Sequence, residues 1–89
     1  MRQRRFYRIR DRSTGLIFVF KVDEDAPELL HIYARHVTTP EEAIDTFIRG
    51  ETTWNEERQR FETSTDTHCV FWFWLQQDAI VMVVSCFRL

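Results

Sequence analysis

The chain has 89 residues, with 12 basic side chains against 14 acidic ones and a net charge of −2. That length suits one domain, residues 1–89, with a modest core. The ordinary apolar fraction and scarce glycine and proline argue against a largely disordered chain. The opening Met-Arg-Gln-Arg-Arg-Phe lacks the continuous apolar segment of a signal peptide or membrane span, so a cytoplasmic protein away from the membrane is expected.

Arg2, Arg4, Arg5, Arg8, Arg10 and Arg12 crowd the start against Asp11 alone, which leaves the remainder distinctly acidic. Interleaved with Phe6 and Tyr7, such arginines suit phosphate contact plus base stacking, and Arg4, Arg5 and Arg8 are candidate binding cations. A solvated strand with outward arginines explains the same pattern. Phe6–Arg10 and residues 16–22 read as two strands joined by the turn 11–15, with Tyr7 and Ile9 pointing one way. Acids at 23–25 and Pro27 then lead into residues 28–36, a short helix candidate with acids near its start, where the helix dipole favours them.

The next element has the clearest boundaries. Thr39 is an N-cap, Pro40 takes the first helical position and Glu42 completes a capping box, which predicts a helix over Pro40–Arg49. Ala43, Ile44, Phe47 and Ile48 form its apolar stripe, and Gly50 ends it. Residues 51–65 are polar apart from Trp54 and Phe61. Within them, 57–63 alternates as an edge strand would, with Arg58 and Arg60 as charges that discourage aggregation.

Residues 68–75 and 79–87 are two β-branched and aromatic runs around a short polar turn, the mark of an antiparallel hairpin. A two-residue turn at Gln77 and Asp78 sets Leu75 opposite Ile80, Phe73 opposite Met82, Phe71 opposite Val84 and Cys69 opposite Cys86. The other face then pairs Trp74 with Val81, Trp72 with Val83 and Val70 with Ser85. The facing cysteines read as reduced core thiols, because a bridge between neighbouring strands tends to be strained and nothing points to an oxidising compartment. His31, His36 and His68 lack a compact ligand spacing with them, so no metal and no cofactor is expected.

The order β-β-α-α-β-β-β predicts an α+β domain, an antiparallel sheet of about five strands with two helices packed on one face. A hairpin apolar on both faces then leaves surface for another chain. Trp72 and Trp74, or alternatively Phe71 and Phe73, are candidates for a homodimer interface, since aromatics are enriched in interface cores. Alternatively, the N-terminal hairpin folds over that face and hides it.

His31 and Arg35, four residues apart on the predicted helix, are neighbours on one face away from the apolar side. A neutral histidine beside a fixed cation is a workable general base with a phosphate clamp, whereas solvated helix residues are the plainer reading. His36 points elsewhere.

The stretch His31-x-x-x-Arg35-His36-x-x-Thr39-Pro40-Glu41-Glu42-Ala43, followed by Phe47, Gly50, Arg58 and a closing hairpin ending Ser85-Cys86-Phe87-Arg88, resembles the BrnT-type toxins and related RelE-like ribonucleases. The resemblance spans roughly residues 29–88. It implies metal-independent RNA cleavage, in which a 2′-hydroxyl attacks the adjacent phosphate, with an antitoxin protein as a partner. Carried over by position, His31 becomes the general base or acid and Arg35 and Arg58 contact the phosphate, with Arg60 and His68 as secondary candidates. The acidic balance and the N-terminal hairpin depart from that class. A second reading is a non-enzymatic homodimeric interaction module using its aromatic sheet face. A third is a nucleic-acid binder without cleavage, built on the arginine arm and Trp54.

Overall fold

The computed structural model describes residues 5–89. They form an α+β fold in the order β1 (Phe6–Arg10), β2 (Ile17–Lys21), α1 (His31–His36), α2 (Pro40–Arg49), β3 (Glu51–Asn55), β4 (Arg60–Ser64), β5 (His68–Gln76) and β6 (Ile80–Arg88). The six strands make one sheet, ordered β1-β2-β6-β5-β4-β3. It is mixed rather than antiparallel throughout: β2 runs parallel to β6, and every other neighbouring pair is antiparallel. The parallel pair follows from the path of the chain, since both helices intervene between β2 and the strands that return beside it.

The first hairpin lies where its pattern placed it, and it extends the sheet instead of folding over it. Its turn is held by the Asp11 carboxylate, which accepts from the Thr14 backbone and from the Ser13 and Thr14 hydroxyls. Gly15 supplies a left-handed φ of 75° that a side chain would resist. The strand missed in the sequence is β3, a polar segment paired only with β4. The true edge is therefore β3, and β4 is internal. Arg58 lies in the 56–59 turn and Arg60 at the start of β4, so neither guards an edge strand.

Helix α1 begins at His31, later than expected. Asp23 accepts from the backbone N–H groups of Asp25 and Ala26, Leu29 N–H bonds Ala26 C=O, and Leu30 bridges Val22. These bonds commit residues 23–30 to turns, so the acids do not occupy the helix's first turn. Helix α2 has its expected bounds and a complete Thr39–Glu42 capping box. Its buried stripe differs: Thr46 turns inward while Ile48 is half exposed. Gly50 carries an extended φ of −83°, and its role is close approach, since a Cβ there would meet Ser64 O and Thr63 Cγ2 at 2.7 Å.

Both helices cover one face. Phe18 and Phe20 of β2, Val81 and Val83 of β6, and Val70 and Trp72 of β5 point under them and form the core with Ile32 and Ala43. Phe47 of α2 meets Phe18 and Trp72 edge-on at 5.0 and 4.7 Å, and Phe61 stacks on Trp72 at 4.5 Å. Such contacts are each worth about 0.5–1.5 kcal/mol beyond their buried area. The Trp72 indole N–H donates to Thr63 Oγ1 at 2.8 Å, which settles its one polar group.

The β5–β6 register agrees with expectation where Phe73 faces Met82, Trp72 faces Val83 and Trp74 faces Val81, but not at the turn itself, which spans 77–79: Gln76 faces Ile80 and Leu75 is an extra residue in β5, so Leu75 does not face Ile80. Beyond that, Val84 is an extra residue in β6, so Phe71 faces Ser85, Val70 faces Cys86 and Cys69 faces Phe87. The bulge sends the two cysteines to opposite faces, each buried as a free thiol. Burial pushes the Cys86 thiol up to about 11, which leaves it protonated at neutral pH.

Candidate functional site

Three places in the fold bear on chemistry or recognition. The first lies where β2 ends. Asp23, only 3% exposed, stands with Oδ1 3.4 Å from His31 Nδ1 and 3.2 Å from Arg35 Nε. Arg35 also reaches Asp25 Oδ2 at 2.9 Å. Burial opposes ionisation of Asp23, but the Ala26 N–H, the Arg35 charge, the Asp25 N–H and His31 together hold its carboxyl below the ordinary value. His31 and Arg35 are thus neighbours, as their spacing implies. A carboxylate at Nδ1 favours the tautomer that leaves Nε2 free to accept a proton. The guanidinium, however, faces two carboxylates and offers a phosphate little uncompensated charge.

The second cluster joins α2 to the strand ends. Glu42 Oε2 lies 2.6 Å from His68 Nε2, and both Glu42 oxygens take bonds from Arg88 Nη2 at 3.1 and 3.0 Å. Thr67 Oγ1 is 2.8 Å from the other ring nitrogen of His68. The bond with His68 is the main cause that holds the Glu42 carboxyl below its usual range, against the cost of burial and with help from Arg88 and the Thr39 N–H. With both ring nitrogens engaged, His68 is a strut and not a free acid or base.

Arg58 does not join either cluster. It lies where β4 begins, whereas Asp23, His31 and Arg35 gather where β2 ends. Since β2 and β4 point the same way, these are opposite ends of the sheet. The triad of His31, Arg35 and Arg58 is therefore not assembled. Arg60 sits 3.7 Å over the Phe71 ring and pairs with Glu62 at 2.9 Å. Arg4 lies outside the described residues. Arg5 and Arg8 are on or beside β1, at one sheet edge, while Trp54 is on β3 at the other, its indole N–H bonded to Glu56. No common nucleic-acid surface joins them.

The third place is the sheet face opposite the helices. Val19 and Ile17 of β2, Met82 and Phe87 of β6, and Phe71 and Phe73 of β5 lie on it, as the register with Trp72 and Phe18 requires. Phe71 and Phe87 meet edge-on at 5.1 Å, and Phe73 is 36% exposed. Trp72, by contrast, is 5% exposed beneath α2, and Trp74 packs beside it on the helix side at 5.1 Å. The tryptophans expected at an interface thus belong to the core, and of the alternative pair, both on the other face, Phe73 is exposed while Phe71 lies under Arg60.

Asp23 and Glu42 are the organising residues that sequence reasoning passed over. An Asp before the turn 23–26 is a recognisable Asx-turn signal. The second role of Glu42, beyond its capping box, has no local signal, because His68 and Arg88 lie far along the chain. Among the described residues no group of three or more His, Cys, Asp and Glu side chains could hold a metal ion, and no helix is long and apolar enough to cross a membrane. No family model, curated protein or solved structure matches the chain.

Proposed function

We propose that this protein is a non-enzymatic interaction module that pairs with a second copy of itself through the open sheet face. The observation that carries this reading is the apolar stripe of Ile17, Val19, Met82, Phe71, Phe73 and Phe87 across three central strands, over which no described helix or strand is layered: Phe73 is 36% exposed, while Val19 and Met82 are buried among their neighbours, Arg60 lies over Phe71 and His36 at the end of α1 meets Phe87 at 5.8 Å. Both helices are spent on the other face, and the N-terminal hairpin widens the sheet. The stripe has polar margins on both sides, Arg8 and Arg10 on β1 and Glu62 and Ser64 on β4. A face of that design is self-complementary about a two-fold axis, and two such sheets pack about 10 Å apart in an aligned sandwich. Sedimentation equilibrium tests this: the wild-type chain gives a dimer mass and Phe73→Glu a folded monomer. A wild-type monomer at every concentration contradicts it.

A second reading rests on the Asp23–His31 contact. An imidazole oriented by a buried carboxylate, with Nε2 free, is the arrangement of a general base, and ribonuclease action of the RelE-like kind would start there. RNA and an antitoxin protein would then be the partners. Growth arrest and RNA breakdown on induced expression, both relieved in His31→Ala/Arg35→Ala, support that reading. Normal growth with intact RNA at high expression removes it.

A further inference from the structure

The outer edge of β1 combines three properties, of which the sheet-face reading uses only the polarity of Arg8 and Arg10. The first is hydrogen bonding. Val22 N–H donates to Arg5 C=O at 2.8 Å and Asp11 N–H to Leu16 C=O at 2.9 Å. In an antiparallel ladder the residues between them alternate, so Tyr7 and Ile9 also direct their backbone groups to β2. The N–H and C=O groups of Phe6, Arg8 and Arg10 therefore face away from the sheet, and β1 has no second neighbour among the described residues.

The second property is charge. Lys21, Arg35, Arg49, Arg60 and Arg88 each have a carboxylate within 4.0 Å. Arg5, Arg8, Arg10 and Arg12 have none among the described residues, a state shared elsewhere by Arg58, although the chain as a whole is acidic. Arg8 and Arg10 share one face of β1 with Phe6. The third property is shape. An open groove runs along this edge past Phe6, Tyr7 and Arg8, and its far wall is apolar apart from Glu28, with Val22, Pro27, Leu29 and Leu30. Helix α1 packs on β2 and β6 and leaves this groove uncovered.

We propose that the β1 edge accepts an extended acidic segment of a partner protein by strand addition, with carboxylates and aliphatic side chains alternating. The added strand would satisfy the outward backbone groups of Phe6, Arg8 and Arg10. Its period-2 alternation places carboxylates beside Arg8 and Arg10 and aliphatic groups beside Tyr7 and the Leu29–Leu30 wall. A second copy's β1 is a poor occupant, because it would set arginine against arginine.

A labelled peptide alternating Glu and Val, titrated with the full chain and followed by fluorescence anisotropy, tests the proposal. The wild-type chain binds it, and Arg8→Glu/Arg10→Glu weakens binding by about tenfold or more while circular dichroism is unchanged. Phe6→Pro removes one outward N–H, keeps every arginine and leaves the bonds to β2 in place, so it too weakens binding severalfold. A peptide of the same composition with its Glu and Val residues in blocks binds more weakly. Binding that Phe6→Pro leaves unchanged, or that ignores the order of residues, overturns strand addition in favour of plain charge attraction. Binding of a single-stranded RNA oligonucleotide but not the peptide overturns the proposal in favour of a phosphate-contacting arm, and binding of neither shows that the arginines only protect the edge.

Discussion

Thr63 shows how closely a single polar residue is bound into this core. Fully buried on β4, it accepts from the Trp72 indole N–H and shares a 2.7 Å hydrogen bond with Thr52. Thr63→Val keeps the volume and strands the indole donor, so the variant should lose about 1–3 kcal/mol in a urea titration. An unchanged midpoint would mean the indole finds another partner. The buried contact between Trp72 and Thr63 was not legible from the sequence, because it depends on β4 lying beside β5 with Thr63 opposite Val70. The same is true of Asp23: its role needs the return of α1 beside the end of β2, and only its turn-forming half is written locally.

Among the elements, α2 was the most legible, since caps and proline act within one turn of the chain. The polar strand β3 was the least, since it lacks alternation and is held by pairing with β4 alone. The β6 bulge at Val84 moved the cysteine pair out of register, because both candidate registers keep apolar residues on both faces and composition does not choose between them. Tertiary anchoring of α2 has a pH signature. Glu42 has an ordinary value of 4.5 and is held lower in the fold. A depressed carboxylate contributes stability that is complete above its ordinary value and is lost as the pH falls through the folded one. Glu42→Gln should therefore be less stable than wild type at neutrality, with the two stability curves converging as the pH falls below the ordinary carboxyl value of 4.5 and through the lowered one. Thermal melts across that range check this, and a gap that stays constant with pH would show that the His68–Glu42–Arg88 contacts contribute no linkage.

For the whole molecule, the sheet divides labour between its faces and edges. One face carries the core and the other an apolar stripe on which Phe73 is exposed; among the described residues one edge is rich in arginines without a carboxylate partner, and the other edge is polar. The fold class and the two helices on one side were legible from the pattern of elements, and the mixed topology was not, because strand direction depends on where the chain returns. The apolar hairpin did announce apolar residues on both faces of the sheet, but its register left open which pair of aromatics would lie away from the helices. Self-association through Phe71 and Phe73 is the central claim, and hydroxyl-radical footprinting at concentrations from nanomolar to tens of micromolar tests it most directly. Labelling of Phe73 and Phe71 should fall as concentration rises, while Tyr33 and Trp54, exposed elsewhere, keep theirs. Constant labelling of Phe73 across the range would contradict a dimer built on the open face.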